Sequence, residues 1–228
     1  MIISLIGFMG CGKSSVGREL SRLLCCPFMD LDDLIVQREG RAIPEIFSTD
    51  GEGAFRRMEH EALRRVVALP VDSVGPRLRY ASAPPGRGWQ NANSVHQEDA
   101  PFLSNDDIQS SSCNSQQEIA VLALGGGTVM TEECREIVKE KTVCVYMKAT
   151  VETLMEHLEG QTEGRPMLSG GSGSGRQNGA ENSALRSRIE GLMEQRAAVY
   201  EDTAHHIIVT DGMSVEHVCS KIREKLEI

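Results

Sequence analysis

The sequence predicts an α/β protein in which helices cover both faces of a central five-stranded parallel sheet. Three observations lead there. Five short apolar runs recur along the chain, stretches with helical periodicity fill the spaces between them, and a glycine-rich loop joins the first run to the first helix. Strands alternating with helices of 10–15 residues mean βαβ units and a parallel sheet in three layers.

The runs are 2–6 (IISLI), 27–30 (PFMD), 119–124 (IAVLAL), 142–147 (TVCVYM) and 206–209 (HIIV). Each is too short for a helix, and most are rich in Ile and Val, as strands buried on both faces tend to be. After the first strand, Val16, Leu20, Leu23 and Leu24 recur on a helical period, and 53–68 places Phe55, Met58, Ala62 and Val66 on one face. Ser214 is a plausible N-cap for a last helix that carries Val215, Val218, Ile222 and Leu226.

Two segments break this rhythm. Residues 70–118 hold five of the eight prolines, eight serines and the single Trp89, without sustained periodicity. The expectation is a partly disordered surface insertion, since long loops cost little to close. Residues 160–183 contain seven glycines, the composition of a flexible linker or lid, and Arg165-Pro166 inside it favours a lid. The domain expectation is therefore one α/β domain over 1–228, interrupted by 70–118 and by the lid 160–183.

Composition narrows the partners. The chain has 228 residues, 40% hydrophobic and 25% charged, with 33 acids against 24 bases and a net charge of −9. That balance, without any Lys/Arg stripe, argues against nucleic acid. No apolar stretch reaches 18 residues, so no membrane partner is expected. Met1 to Ser4 runs into a strand without a charged leader, and no signal peptide is expected. Seven cysteines without CxxC spacing suit a reducing cytoplasm better than a disulfide framework or a zinc site. A monomer is the expected state.

The strongest motif is Gly7-Phe8-Met9-Gly10-Cys11-Gly12-Lys13-Ser14, which fits GxxxxGK[ST] after a strand and before a helix. Such a loop turns backbone N–H groups toward a β-phosphate, Lys13 adds a charge for the β- and γ-phosphates, and the Ser14 hydroxyl is placed for Mg²⁺. No NKxD motif points to a GTPase. Leu168-Ser169-Gly170-Gly171-Ser172 shares only composition with the signature loop of ABC ATPases. A small-molecule kinase fits the size best.

Downstream, Phe28-Met29-Asp30-Leu31-Asp32-Asp33 puts carboxylates at the end of a strand next to the phosphate loop, where ligands of open α/β sheets bind. If the chain stays extended there, Asp30 and Asp32 lie side by side, one for a metal and one for an acceptor hydroxyl. The bland alternative is that Asp32 or Asp33 caps the next helix. Of Arg56 and Arg57, adjacent on a helix, at least one must face solvent. Gly125-Gly126-Gly127 ends the third strand and lets a ligand approach the backbone. Arg196 precedes Tyr200 by four residues on a helix after the lid; by itself such an arginine is more often a surface residue.

Taken in order, GFMGCGKSS, FMDLDD, DGEGAFRRME, LGGG, GRPML and QRAAVY closely resemble shikimate kinases. The resemblance spans the chain except 70–118 and the Gly/Ser-rich part of the lid. It implies the three-layer αβα P-loop kinase fold, similar to nucleoside monophosphate kinases, and transfer of phosphate from ATP to the 3-hydroxyl of shikimate on the way to aromatic amino acids. It further implies that Gly10, Cys11, Gly12, Lys13, Ser14 and Ser15 hold the nucleotide, with Arg165 closing over the phosphates. Ser14 and Asp30 would hold Mg²⁺. Asp32 would orient or deprotonate the attacking hydroxyl, Arg56 and Arg196 would clamp the shikimate carboxylate, and Gly126 would contact shikimate through its backbone. Lys13, Asp32 and Arg165 thus become the catalytic set. The chain departs from the family pattern in the length of 70–118, in the SGGSGSGRQNG extension of the lid, and in a 210–214 loop (TDGMS) that has no arginine for the adenine. Two rivals remain at this stage: a gluconate kinase-like enzyme and a catalytically silent ATP-binding regulatory protein.

Overall fold

The computed structural model describes residues 1–68, 119–158 and 178–228, with 178–182 described by their backbone alone. The segment 70–118 and Arg165 of the lid lie outside the described residues. Five parallel strands form one sheet: β1 (Ile2–Ile6), β2 (Phe28–Asp30), β3 (Ala120–Ala123), β4 (Val143–Lys148) and β5 (His206–Val209), in the order β2-β3-β1-β4-β5. The strands sit within two residues of the apolar runs that predicted them.

Between them come α1 (Lys13–Leu23), α2 (Leu31–Glu39), α3 (Ile43–Thr49), α4 (Gly51–Ala68), a 3-10 turn (Thr128–Met130), α5 (Glu132–Lys141), α6 (Val151–Leu158), α7 (Asn178–Thr203) and α8 (Val215–Leu226). Because α7 starts at Asn178, the last residues of the predicted lid are helical. Ser214 caps α8 as expected, its side chain accepting from the His217 N–H. Leu23 departs from the helical face assigned to it: α1 ends there and the side chain is 38% exposed.

The period-2 alternation of the strands divides the interior in two. Ile3, Leu5, Val121, Ala123, Val145 and Met147 face one layer, where Val16 and Leu20 of α1 and Val218 and Ile222 of α8 cover them. Ile2, Ile6, Ala120, Leu122, Cys144 and Tyr146 face the other, against Leu63 and Val66 of α4 and Val138 of α5. Strands covered on both faces are near-continuously apolar, and β1, at the centre of the sheet, is buried throughout, its one polar residue Ser4 hydrogen-bonded to the Thr142 hydroxyl at 2.7 Å. From β1 the chain runs first to one side (β2, β3) and then to the other (β4, β5). The crevice beyond the C-terminal end of β1 is therefore the switch point where such sheets bind ligands.

Candidate active site

A cavity of about 760 Å³ occupies that crevice. Its wall brings together residues far apart in sequence, from the phosphate loop, β2–α2, α3, α4, the triple glycine, α6 and α7.

The phosphate loop starts where β1 stops. Gly10 and Gly12 take φ values of 84° and 90°, a region that residues with a Cβ avoid. Gly12 is also the residue preceding α1, so the partial positive end of that helix points into the cavity. Lys13 Nζ donates to the carbonyls of Gly7 and Phe8, each at 2.9 Å. The Ser14 hydroxyl donates to Asp30 Oδ2 at 2.7 Å, bringing the two predicted metal-binding residues into contact.

The extended pairing expected for Asp30 and Asp32 does not form. β2 ends at Asp30, and Asp32 already lies in the first turn of α2. Nor does Asp32 or Asp33 cap the helix. Asp30 does, its Oδ1 accepting from the Asp32 N–H at 3.1 Å. One side chain thus serves the cap with one oxygen and Ser14 with the other. Both carboxylates still line the cavity. Burial, and then the nearby charges of Asp30 and Glu59, push the Asp32 carboxyl up to about 7, against the pull of the Lys13 ammonium. Its neighbour Asp33 rises to about 6, again from burial first and Asp30 second.

Of the adjacent arginines on α4, Arg56 turns inward and Arg57 is exposed. Glu59, only 1% exposed, accepts from Arg56 Nη1 at 2.6 Å and from the Thr128 hydroxyl at 2.5 Å, while Glu52 accepts from Arg56 Nη2 at 2.8 Å. Burial raises the Glu59 carboxyl, and Arg56 and Thr128 offset part of the rise.

The three glycines after β3 each make room for something different. A Cβ on Gly125 would lie 2.8 Å from Asp32 Oδ1 and 2.9 Å from Glu59 Oε1. One on Gly126 would meet the phosphate-loop backbone, 3.3 Å from Met9 N. One on Gly127 would lie 2.6 Å from Arg56 Cζ and closer still to both terminal nitrogens. The sequence pointed to a ligand approaching this backbone; in the structure the protein's own acids and Arg56 take up much of that room. Arg196 and Tyr200, one helical turn apart on α7, both reach the Gly126 carbonyl, Arg196 Nη1 at 3.4 Å and the Tyr200 hydroxyl by a short hydrogen bond. Arg196 is 6% exposed, with its guanidinium 5.9 Å from the centre of the Phe8 ring. It is not the surface residue that its position on the helix suggests.

Sequence reasoning missed several members of this wall. Ile43 and Phe47 of α3 form an apolar side with Phe55, the two phenyl rings 4.8 Å apart; the segment 41–49 is too short to show a period. Glu59 stood inside a quoted motif, and its burial could be inferred only from its place on the Phe55–Ala62 face of α4. His157 of α6 lies outside every motif. At the 210–214 loop, Asp211 Oδ1 accepts from Thr150 N, Thr150 Oγ1 and Thr153 Oγ1 at 2.8, 2.9 and 2.6 Å, which ties that loop to the start of α6.

Comparison with known proteins gives the family. The sequence profile described as shikimate kinase matches residues 9–74 and 102–227. The chain belongs to the shikimate kinase family. A shikimate kinase from Thermus thermophilus is 34% identical over 224 residues, covering 98% of this chain and 89% of that protein, and one from Salinibacter ruber is 31% identical, covering 98% and 83%. Among solved structures, the shikimate kinase from Acinetobacter baumannii in complex with shikimate is similar at a TM-score of 0.68 and 25% identity, covering 99% of this chain and 93% of that one. The shikimate kinase from Bacteroides thetaiotaomicron, with a TM-score of 0.68 and 21% identity, shares the fold. Shikimate kinases are ATP-dependent phosphotransferases, so this member is an enzyme with ATP as co-substrate, and neither the gluconate kinase-like nor the silent regulatory reading is favoured. The profile match leaves out 75–101, inside the stretch expected as an insertion. Among the described residues, no helix is long and apolar enough to cross a membrane.

Proposed function

We propose that this chain transfers the γ-phosphoryl group of ATP to the 3-hydroxyl of shikimate, giving shikimate 3-phosphate and ADP. One observation carries the choice of acceptor. Arg196 is buried at the cavity wall, and among the described residues no carboxylate pairs with it. An isolated buried cation is costly, and an acceptor that brings a carboxylate removes the cost. Arg56 lines the same cavity. Two planar guanidinium groups suit a carboxylate better than lysines would.

In this reading the phosphates lie over Gly10, Cys11, Gly12, Lys13, Ser14 and Ser15, and Lys13 exchanges its two carbonyl partners for phosphate oxygens. Ser14 and Asp30 are the residues that would hold Mg²⁺. Their touching oxygens suit a hard cation, and among the described residues there is no cluster of three or more His, Cys, Asp or Glu for a metal. An ion held there would complete its shell from water and phosphate, and the chemistry it would supply is neutralisation of charge on the phosphate oxygens. Asp32, with its carboxyl raised to about 7, is matched to accept a proton from the attacking hydroxyl near neutral pH. Glu59 fixes Arg56. The Gly126 carbonyl is engaged by Arg196 and Tyr200, leaving its N–H as the backbone group to offer shikimate. Arg165 keeps its assignment over the phosphates on the strength of the GRPML motif. A monomer in the cytoplasm, without nucleic-acid or membrane partners, completes the proposal.

The test is coupled ADP release with Mg-ATP and shikimate, gluconate, AMP or no acceptor. Release that depends on shikimate alone is expected. Equal turnover with gluconate, or ATP binding without turnover on any acceptor, would overturn the reading.

A further inference from the structure

We propose that His157 is a positioning residue for the nucleotide, holding the phosphate loop in shape while Lys13 serves the phosphates. The inference rests on the reading that this loop binds ATP. A phosphate loop works by turning its N–H groups inward, so its carbonyls turn outward and need donors elsewhere. Here the Gly7 and Phe8 carbonyls take theirs from Lys13, and the Gly12 carbonyl from the Val16 N–H at 2.9 Å. The Gly10 carbonyl is different. It is 2.8 Å from Nδ1 of His157, which comes from α6, 147 residues further along the chain. A carbonyl oxygen only accepts, so Nδ1 carries the proton in this bond.

Lys13 has one ammonium group, and two of its hydrogen bonds are committed to the loop. When it turns to a triphosphate, the Gly7 and Phe8 carbonyls lose that donor, and Phe8 keeps the Cys11 N–H at 3.3 Å. The bond from His157 falls on a carbonyl, which only accepts, so it takes up none of the loop's N–H donors for phosphate. The adjacent residue reinforces it. Leu158 is fully buried, and its side-chain carbons lie 3.0 Å from the place of a Cβ on Gly10. The last turn of α6 thus grips Gly10 with one polar and one apolar side chain, at a residue whose φ of 84° needs support. The other end of α6 is fixed by the three hydrogen bonds to Asp211, so the grip rests on an anchored helix. His157 also lines the cavity together with Lys13 and Ser14.

His157 is exposed, so replacing it removes this bond without opening the core. Three variants separate the hydrogen bond from bulk: His157→Ala, His157→Gln and His157→Asn. The Asn amide nitrogen occupies the place of Nδ1, whereas the Gln amide reaches toward the place of Nε2. Calorimetric titration with MgADP needs no acceptor, so it reads this inference independently of shikimate turnover. The Ala and Gln variants are expected to bind MgADP about three- to tenfold more weakly, the range of one hydrogen bond, and Asn to recover to within about twofold. The KM for ATP should follow the same order while the KM for shikimate and the Tm stay at wild-type values. Wild-type MgADP affinity in His157→Ala, or an Asn variant no better than Ala, would overturn the assignment. The expected MgADP pattern in a protein that does not turn over shikimate would uphold His157 and refute the proposed reaction.

Discussion

Gly127→Ala tests the proposed carboxylate clamp without replacing a charged group. At Gly127 φ is −115°, a conformation open to alanine, so any effect comes from space and not from backbone strain. The new methyl carbon would start 2.6 Å from Arg56 Cζ, where ordinary contact begins at 3.4 Å. The guanidinium must therefore retreat by about 1 Å, more at its terminal nitrogens. It cannot do so and keep its bonds of 2.6 Å to Glu59 and 2.8 Å to Glu52. Glu59 is 1% exposed and has nowhere to follow. A displaced Arg56 loses a charge-assisted hydrogen bond to the substrate carboxylate worth about 1.5–3 kcal/mol, or about 10- to 150-fold in KM for shikimate. Steady-state kinetics with each substrate varied in turn is the assay, with the KM for ATP expected to move little. An unchanged shikimate KM in a variant that melts like the wild type would refute the role given to Arg56 and the reason given for the third glycine.

Four further predictions follow from the same geometry. With the Asp32 carboxyl at about 7 in the free enzyme, kcat/KM for shikimate should fall toward tenfold per unit as pH drops below that value, and Asp32→Asn should be nearly inactive at every pH; a flat profile from pH 5 to 8 would remove Asp32 as the base. The raised value also means that the folded protein holds this proton more tightly than the unfolded chain, so stability is lost as pH rises from 3.8 to about 7; Asp32→Asn should then melt higher than wild type at pH 8, by an amount worth up to about 4 kcal/mol. Arg196→Ala should raise the shikimate KM by at least about tenfold while leaving the KM for ATP alone, as measured by the same kinetics. Gly191→Ala, within α7 and with open space around the added methyl, should stabilise by about 0.5–1 kcal/mol, seen as a Tm rise of about 1–4 °C with unchanged kinetics.

The stability and activity predictions for Asp32 share one cause. A carboxyl group kept from water between Asp30 and Glu59 is unfavourable when charged, and in the proposed reading that same condition matches it to act as a base near neutral pH. The site is arranged to hold this conflict. Gly125 admits Asp32 and Glu59 to the same small space, and Lys13 supplies the countercharge.

What could be read from the sequence alone was whatever rests on local pattern. Five runs of four to six mostly apolar residues gave the five strands, because strands covered on both faces are near-continuously apolar; β5, at the sheet edge, departs from this, with Ile207 and Val209 exposed. The phosphate loop was legible because its glycines, Lys13 and Ser14 do their work within eight consecutive residues. The Ser214 cap was legible for the same reason. The ordered motifs also named Asp30, Asp32, Arg56, Gly126 and Arg196, all of which meet at one cavity. How they meet was settled by contacts between distant parts of the chain. The strand order β2-β3-β1-β4-β5 brings Asp30 and the triple glycine beside the phosphate loop. The change from strand to helix at Asp30 turned an apparent pair of extended carboxylates into a helix cap and its neighbour. Arg196 appeared to belong on a surface until α7 packed it against Gly126 and Phe8. Glu59 shows only its place on a helix face, and His157 lies outside every motif. Their roles come from Thr128 and Arg56 in one case and from Gly10 in the other, and a hydrogen bond between residues 69 or 147 positions apart leaves no periodicity for a sequence to display.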